Sequence, residues 1–188
     1  FSMENSILIK NGRIINEGNI YLSDIYIEDE KIKKIAPSIS PKLSNTLTID
    51  AEGNYIIPGL IDDQVHFREP GLTHKGDIYT GSRAAVAGGI TSYFEMPNTI
   101  PQTITQSKLK EKFKIASKNS LANYSFMFGG TNENIDEILK LDPNEVPALK
   151  IFLGSSTGNM LVDNLDALEE IFLKCNLPIA VHCEDENT

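Results

Sequence analysis

From about residue 55 onward, the chain alternates strand-like apolar runs with amphipathic helices. The predicted strands are 55–67, 91–96, 123–128, 148–153 and 178–183, and the predicted helices are 77–87, 105–117, 132–140 and 164–174. Repeated strand–helix units of this length build a parallel sheet with right-handed crossovers. The alternation therefore predicts an α/β fold for this part of the chain.

Residues 1–54 have a different pattern, in which short apolar runs are separated by turn residues. Ile7-Leu8-Ile9 and Ile25-Tyr26-Ile27 are two of these runs, and Asn11-Gly12 is one of the turns. Closely spaced strands and turns of this kind are typical of antiparallel sheets. We expect a small antiparallel β unit of the sandwich type at residues 1–54, followed by the α/β domain at residues 55–188.

Two architectures suit the five predicted strands and four predicted helices. A (β/α)8 barrel needs eight of each and roughly 250 residues, so a barrel in this chain would be truncated after its fifth strand. An open, doubly wound sheet would be complete as it stands. In a barrel, polar groups cluster on the inner face at the carboxyl ends of the strands.

Composition argues against several classes of function. The net charge is −9, from 17 basic and 26 acidic residues, which opposes a nucleic-acid surface. No apolar run approaches the roughly 20 residues that span a bilayer, so no membrane association is expected. The two cysteines make no disulfide framework, and the expected location is a reducing cytoplasm. A small anionic substrate is compatible with the charge, because one well-placed arginine outweighs a diffuse negative field.

Polar residues near the ends of three predicted strands form the candidate site. Alternation places Gln64, His66 and Arg68 on one face of the first strand, Lys150 lies inside an apolar strand, and His182 lies near the end of the last. Each has a structural interpretation: an edge strand leaving the core, a lysine that snorkels at the strand end or pairs with an acid such as Glu184, and a histidine satisfied in the core. Together they favour a metal site, because imidazole is the commonest metal ligand. A buried lysine with a lowered pKa can become a carbamate, which suits the bridging of two metal ions.

The same segments resemble a known family. The run DDQVHFREPG at residues 62–71 resembles the first barrel strand of the amidohydrolase superfamily, and most closely that of the dihydroorotases. Their later motifs are similar to MPNT at 96–99, ALKIFLGSSTG at 148–158 and AVHCE at 180–184. The resemblance covers essentially the whole chain. It implies a partial metal-dependent-hydrolase (β/α)8 TIM barrel, made of the first five strands and preceded by the small β unit.

The resemblance also implies roles for individual residues. His66 would bind zinc at the more exposed (α) site, Lys150 would bridge two zinc ions as a carbamate, and His182 would bind the second (β) zinc. Arg68 and Asn98 would hold the substrate carboxylate, for which a guanidinium offers a bidentate fork. The implied reaction is the reversible, zinc-dependent hydrolysis of dihydroorotate to N-carbamoyl-L-aspartate in pyrimidine biosynthesis. We also expect the full-length protein to form a homo-oligomer.

Two departures from the family pattern modify these expectations. Gln64 stands where the family has the first histidine of His-x-His, and its neutral amide oxygen is a poor zinc ligand. We therefore expect a weakened α site, with one or two zinc ions bound. The family also implies a further metal histidine and a catalytic aspartate on later strands. Since neither falls within residues 1–188, we expect this segment to be part of a longer chain and inactive alone.

Two other functions stay open. Another cyclic amidase, such as a hydantoinase or an allantoinase, would use the same chemistry, although Arg68 and Asn98 favour a substrate with a carboxylate. A metal-free homologue serving as a scaffold is the second alternative. Gln64 supports it, whereas Lys150 opposes it, because a scaffold has no need for a lysine inside a strand.

Overall fold

The computed structural model describes residues 6–41, 44–154 and 160–184. The end of the 148–158 motif therefore lies outside the described residues. The chain divides into two units, residues 1–58 and residues 59–188. Among the helices described, none combines the length and the apolar character needed to cross a membrane.

The described strands of residues 1–58 form one five-stranded sheet. They are β1 Ser6–Asn16, β2 Asn19–Glu28, β3 Lys31–Ala36, β4 Leu47–Asp50 and β5 Tyr55–Ile56. Two tight turns, at 17–18 and 29–30, have positive φ and make β1, β2 and β3 an antiparallel meander. The longer connection after β3 allows β4 to pair parallel to β1, and β5 then continues in the same direction along β1. The sheet is mixed, so the prediction of an antiparallel unit is wrong for β4 and β5.

The strands described in residues 59–188 are all parallel. They are β6 Leu60–Val65, β7 Ile90–Glu95, β8 Asn123–Phe126, β9 Phe128–Gly129, β10 Leu149–Phe152 and β11 Ile179–His182. They form two three-stranded sheets, β6-β7-β8 and β11-β10-β9. Between β8 and β9 lies only Met127, whose N–H donates to the Glu95 carbonyl oxygen at 2.9 Å.

The order of these strands in space follows their order in the chain. A doubly wound sheet reverses its order at a switch point, and no reversal occurs among the strands that the structure describes. The mixed α/β class predicted from the sequence is confirmed. Closure into an eight-stranded barrel stays a prediction.

The helices begin where the sequence offers capping side chains. They are α1 Ile78–Ala87, α2 Gln106–Asn119, α3 Ile135–Ile138 and α4 Leu165–Lys174. Asp77, Thr105 and Asn164 accept backbone N–H groups from the first turns of α1, α2 and α4. Each of these three helices therefore starts within one residue of its predicted position.

Helix α3 is a single turn, much shorter than the predicted helix 132–140. Its N-terminal cap is Asn134, whose side chain makes no capping hydrogen bond. The Asn134 amide instead donates to the Ile104 and Gly129 carbonyls and accepts the Thr131 N–H. The Asn134 side chain therefore holds the loop before α3 to neighbouring segments and does not cap a longer helix. The prediction of a full helix at residues 132–140 is wrong.

The predicted strand 55–67 is in fact two strands. Tyr55–Ile56 pairs with β1, and Leu60–Val65 pairs with β7. Pro58 lacks an N–H, and a Cβ at Gly59 would overlap the Thr91 side chain. The interpretation as one extended segment is therefore wrong, and the polar residues from His66 onward follow a strand that ends at Val65.

Candidate active site

The segment after β6 leaves strand geometry at Arg68. Arg68 has a φ of 72°, in the left-handed region that residues other than glycine rarely occupy. Gln64 and His66 are both exposed and flank the buried Val65, as alternation requires. The prediction that Gln64, His66 and Arg68 share one face therefore holds for Gln64 and His66 but not for Arg68.

Residues 66–71 are held against β7 and the loop that follows it. The Phe67 and Tyr93 rings pack with centroids 4.6 Å apart. The Ile100 N–H donates to the Pro70 carbonyl oxygen at 3.1 Å. Gly71 has a φ of 86°, and a Cβ at this position would overlap the Ile100 carbonyl oxygen. Both loops therefore act as one wall of the candidate site.

Asn98 connects this wall to His66 through a side-chain hydrogen bond. The surrounding protein removes part of the water around the His66 imidazole, and this partial desolvation lowers its pKa. The Arg68 guanidinium lowers the pKa further, and the hydrogen bond with Asn98 raises it. The Lys150 and Lys112 ammonium groups also lower this pKa. The structure therefore brings these side chains within electrostatic reach of His66 and favours its neutral form, which is the form that binds metals.

Lys150 is buried in β10, with 5% of its surface exposed. Its Nζ lies 5.3 Å from the centroid of the Phe152 ring. Burial lowers the pKa of the Lys150 ammonium, and interaction with Cys183 opposes that shift. If Lys150 has only a structural role, an acid such as Glu184 is its expected partner. In the structure, Glu184 Oε1 instead lies 3.4 Å from His182 Nε2.

His182 ends β11, the strand next to Lys150. In the parallel register, Lys150 lies opposite Ala180 and Phe152 lies opposite His182. Side chains two positions apart on a strand share a face, at a spacing of roughly 7 Å. His182 therefore lies on the same face as Lys150, one step closer to the carboxyl end of the strands.

A cavity of about 290 Å³ lies beside Arg68 and Asn98. Its polar lining comes from Arg68, Lys75, Asn98, Thr99 and Gln102. The charged residues in its described lining, Arg68 and Lys75, are both cationic. Sequence reasoning missed Lys75, which follows the first motif in a loop where no periodic pattern marks it.

Sequence reasoning also missed a buried ion pair behind the site. Lys112 Nζ on α2 lies 2.8 Å from Oε2 of Glu95, the last residue of β7, and each side chain is 1% exposed. Glu95 Oε1 accepts the Arg68 backbone N–H at 2.9 Å. The available signal was helical spacing, since Lys112 lies with Leu109 and Ala116 on the apolar face of α2.

The side chains that the sequence proposes for zinc suit part of a zinc site. No three His, Cys, Asp or Glu side chains within residues 6–41, 44–154 and 160–184 are grouped closely enough to hold a metal ion. The proposed donors are two imidazoles and a lysine that would bind as its carbamate. Zinc requires deprotonated ligands, and the lowered pKa values of His66 and Lys150 favour that state.

Several known proteins are similar to this chain. Residues 53–142 match the family described as "Dihydro-orotase-like". A dihydroorotase of Methanosarcina acetivorans is 40% identical, over 96% of this chain and 39% of that protein. An allantoinase of Desulfitobacterium hafniense is 36% identical, over 95% of this chain and 40% of that protein. An L-hydantoinase (dihydropyrimidinase) of Arthrobacter aurescens superposes with a TM-score of 0.88 at 31% identity, covering 98% of this chain and 42% of that one.

The named relatives are hydrolases of cyclic amides, and each matches at least 95% of this chain. The chain belongs to the amidohydrolase superfamily. Within that superfamily it belongs with the dihydroorotase-like proteins. It spans about two fifths of the length of the curated relatives that it matches.

Proposed function

We propose that the full-length protein is a zinc-dependent dihydroorotase. It catalyses the reversible hydrolysis of dihydroorotate to N-carbamoyl-L-aspartate, a step of de novo pyrimidine biosynthesis. The observation that carries the proposal is the cavity that Arg68 and Asn98 line together, with Asn98 also hydrogen-bonded to His66. A carboxylate bound there lies next to a residue suited to hold metal, which is the arrangement that hydrolysis of a carboxylated ring amide needs.

The charge of the cavity favours dihydroorotate over the substrates of the other named relatives. Dihydroorotate carries a carboxylate on its ring, whereas allantoin and simple hydantoins carry none. Arg68 offers a bidentate fork to a carboxylate, Asn98 offers an amide donor, and Lys75 adds a second positive charge. An allantoinase or hydantoinase would leave these donors without an anionic partner.

His66, Lys150 and His182 are the residues of this chain that would hold zinc. The neutral Lys150 amine adds carbon dioxide, forming an N–C bond and releasing one proton, so that the carbamate offers two oxygens as ligands. Zinc at this site would lower the pKa of a water molecule and polarise the ring carbonyl. The neighbouring Arg68 and Asn98 orient the ring by its carboxylate, so that the amide carbon faces the ligands.

We further propose that residues 59–188 supply the first five strands of a (β/α)8 barrel, in which β8 and β9, separated only by Met127, count as one strand. Sequential winding of β6 to β11 supports this assignment, as do relatives about two and a half times as long. The remaining metal ligand and the general base then come from later strands. Purified residues 1–188 should therefore show no hydrolase activity unless a complementing fragment is added.

A metal-free scaffold is the alternative from a different class of protein. Gln64 is the residue that favours it, and the buried Lys150 is the residue that opposes it. Zinc analysis of the full-length protein separates the two functions. A protein purified without chelators that contains essentially no zinc would support the scaffold.

The direct test is hydrolysis of dihydroorotate by the full-length protein. Lys150→Ala should reduce kcat by at least about 100-fold, because it removes a proposed metal bridge. Lys114→Ala, which removes an exposed lysine from α2, is the matched control and should leave kcat unchanged. Full activity in Lys150→Ala would overturn the carbamate role. Faster hydrolysis of allantoin or hydantoin than of dihydroorotate by the unmodified protein would overturn the substrate assignment.

A further inference from the structure

Glu95 connects three elements through contacts that have no part in the chemistry proposed above. Its Oε1 accepts the backbone N–H of Arg68 at 2.9 Å, and its Oε2 lies 2.8 Å from Lys112 Nζ. Lys112 Nζ also donates to the Met96 carbonyl oxygen at 3.0 Å. The carboxylate therefore joins the loop after β6, the end of β7 and helix α2.

The Arg68 backbone needs outside support. A left-handed φ at a non-glycine residue is unfavourable and persists only where the surroundings determine it. The Arg68 carbonyl oxygen accepts the Leu72 N–H at 3.0 Å, which fixes one side of the residue. On the other side, the Glu95 carboxylate is the hydrogen-bond acceptor of its N–H.

An apolar pair would fill the place of Glu95 and Lys112 without the cost of burying two charges. Replacing a buried ion pair by apolar residues of similar volume is often neutral or stabilising. Burial raises the pKa of the Glu95 carboxyl and lowers that of the Lys112 ammonium, and each is opposed by the charge of the other. Stability alone therefore does not explain this pair, whereas its hydrogen bond to Arg68 does.

We propose that Glu95 and Lys112 are positioning residues that set the Arg68 backbone, and through it the direction of the guanidinium in the carboxylate cavity. Lys112 holds the Glu95 carboxylate in place, and Glu95 holds the Arg68 N–H. The effect on substrate rests on the proposed function, because it assumes that Arg68 binds the substrate carboxylate. The effect on the Arg68 backbone does not depend on that assumption.

Two double variants of the full-length protein isolate the hydrogen bond. Glu95→Gln with Lys112→Met removes both charges but keeps a side-chain oxygen that can accept the Arg68 N–H. Glu95→Met with Lys112→Met removes both charges and also removes the acceptor. Because neither leaves an unpaired buried charge, both should fold, as circular dichroism and thermal unfolding can verify.

Kinetics and hydrogen exchange are compared between these two double variants. The variant without the acceptor should have a KM for dihydroorotate about tenfold higher than the variant that keeps it, with kcat similar in both. Exchange of the Arg68 amide hydrogen should be at least about tenfold faster in the variant without the acceptor. Equal KM values together with equal exchange rates would overturn the inference.

Failure of the proposed function gives a different result. If the unmodified protein does not hydrolyse dihydroorotate while Arg68 exchange differs between the variants as expected, then the substrate is wrong and the backbone role stands. If the unmodified protein is active but Arg68 exchange does not respond, the positioning role is wrong. A kcat loss with unchanged KM would also contradict it, because that pattern indicates a general disturbance of the site rather than of carboxylate binding.

Discussion

The side chain of Asn98 is hydrogen-bonded to that of His66, so the loop after β7 is tied to the residue that follows β6. The same asparagine lines the cationic cavity beside Arg68. One amide therefore has a place both in the proposed metal site and in the proposed carboxylate site. A change at Asn98 should consequently affect both substrate binding and the orientation of the imidazole.

For Asn98→Ala we expect KM for dihydroorotate to rise about tenfold, because one hydrogen bond to a charged group is lost. Zinc affinity should fall as well, because the partner that orients the imidazole is removed. Steady-state kinetics and zinc titration of the full-length protein measure the two effects. Asn54→Ala, at an exposed position in the first unit, is the control. Unchanged KM and unchanged zinc affinity in Asn98→Ala would contradict both proposed roles.

Arg68→Lys tests whether a guanidinium fork, rather than a positive charge, is what the cavity requires. Lysine keeps the charge but loses the two parallel N–H donors. We expect KM to rise about tenfold or more while kcat changes little. Arg83→Lys, on the exposed face of α1, gives the same chemical change away from the cavity. If both substitutions have the same small effect, the carboxylate site lies elsewhere.

The buried pair makes a prediction about stability that is separate from its proposed effect on substrate. Glu95→Met alone should lower the free energy of unfolding by about 3–5 kcal/mol, because it leaves the Lys112 ammonium buried without its carboxylate. Adding Lys112→Met should restore most of that loss. Denaturant unfolding of the two single variants and the double variant measures the coupling. Simple additivity of the two single effects would show that the ion pair contributes no coupling.

Gln64→His tests whether the histidine that the family has at this position adds a zinc ligand. Position 64 is exposed on the same side of the strand as His66, so a histidine there would add a second imidazole. We expect more zinc per chain and tighter binding at the α site. Asn144→His, at an exposed position in the loop before β10, is the control and should not change zinc content. Equal zinc in all three proteins would mean that position 64 does not face the metal.

Much of the fold is predictable because the signals that determine it are local. The starts of α1, α2 and α4 follow from the capping side chains of Asp77, Thr105 and Asn164, which act on the next turn of the chain. The parallel pairing follows from strand and helix lengths. The break at Pro58–Gly59 was harder to predict, because it depends on how closely the backbone approaches Thr91.

The candidate site was predictable where side-chain chemistry is unusual for its place. Lys150 inside an apolar strand is conspicuous in the sequence, and so is a histidine or arginine after a strand. The left-handed backbone of Arg68 was not predictable from the sequence. Its hydrogen bond to Glu95 was not predictable either, because it joins residues 27 positions apart. Lys112 carried a partial signal, a cation on an apolar helix face, but nothing in the sequence indicates which acid it meets.

Gly71 shows how poorly surface exposure predicts tolerance to substitution in this loop. The residue is exposed, yet it combines a positive φ with a position where any Cβ would collide with the Ile100 carbonyl oxygen. Even the methyl group of alanine would push apart the two loops that form one wall of the cavity. The shape of the site therefore restricts which residues can replace Gly71, although the position is on the surface.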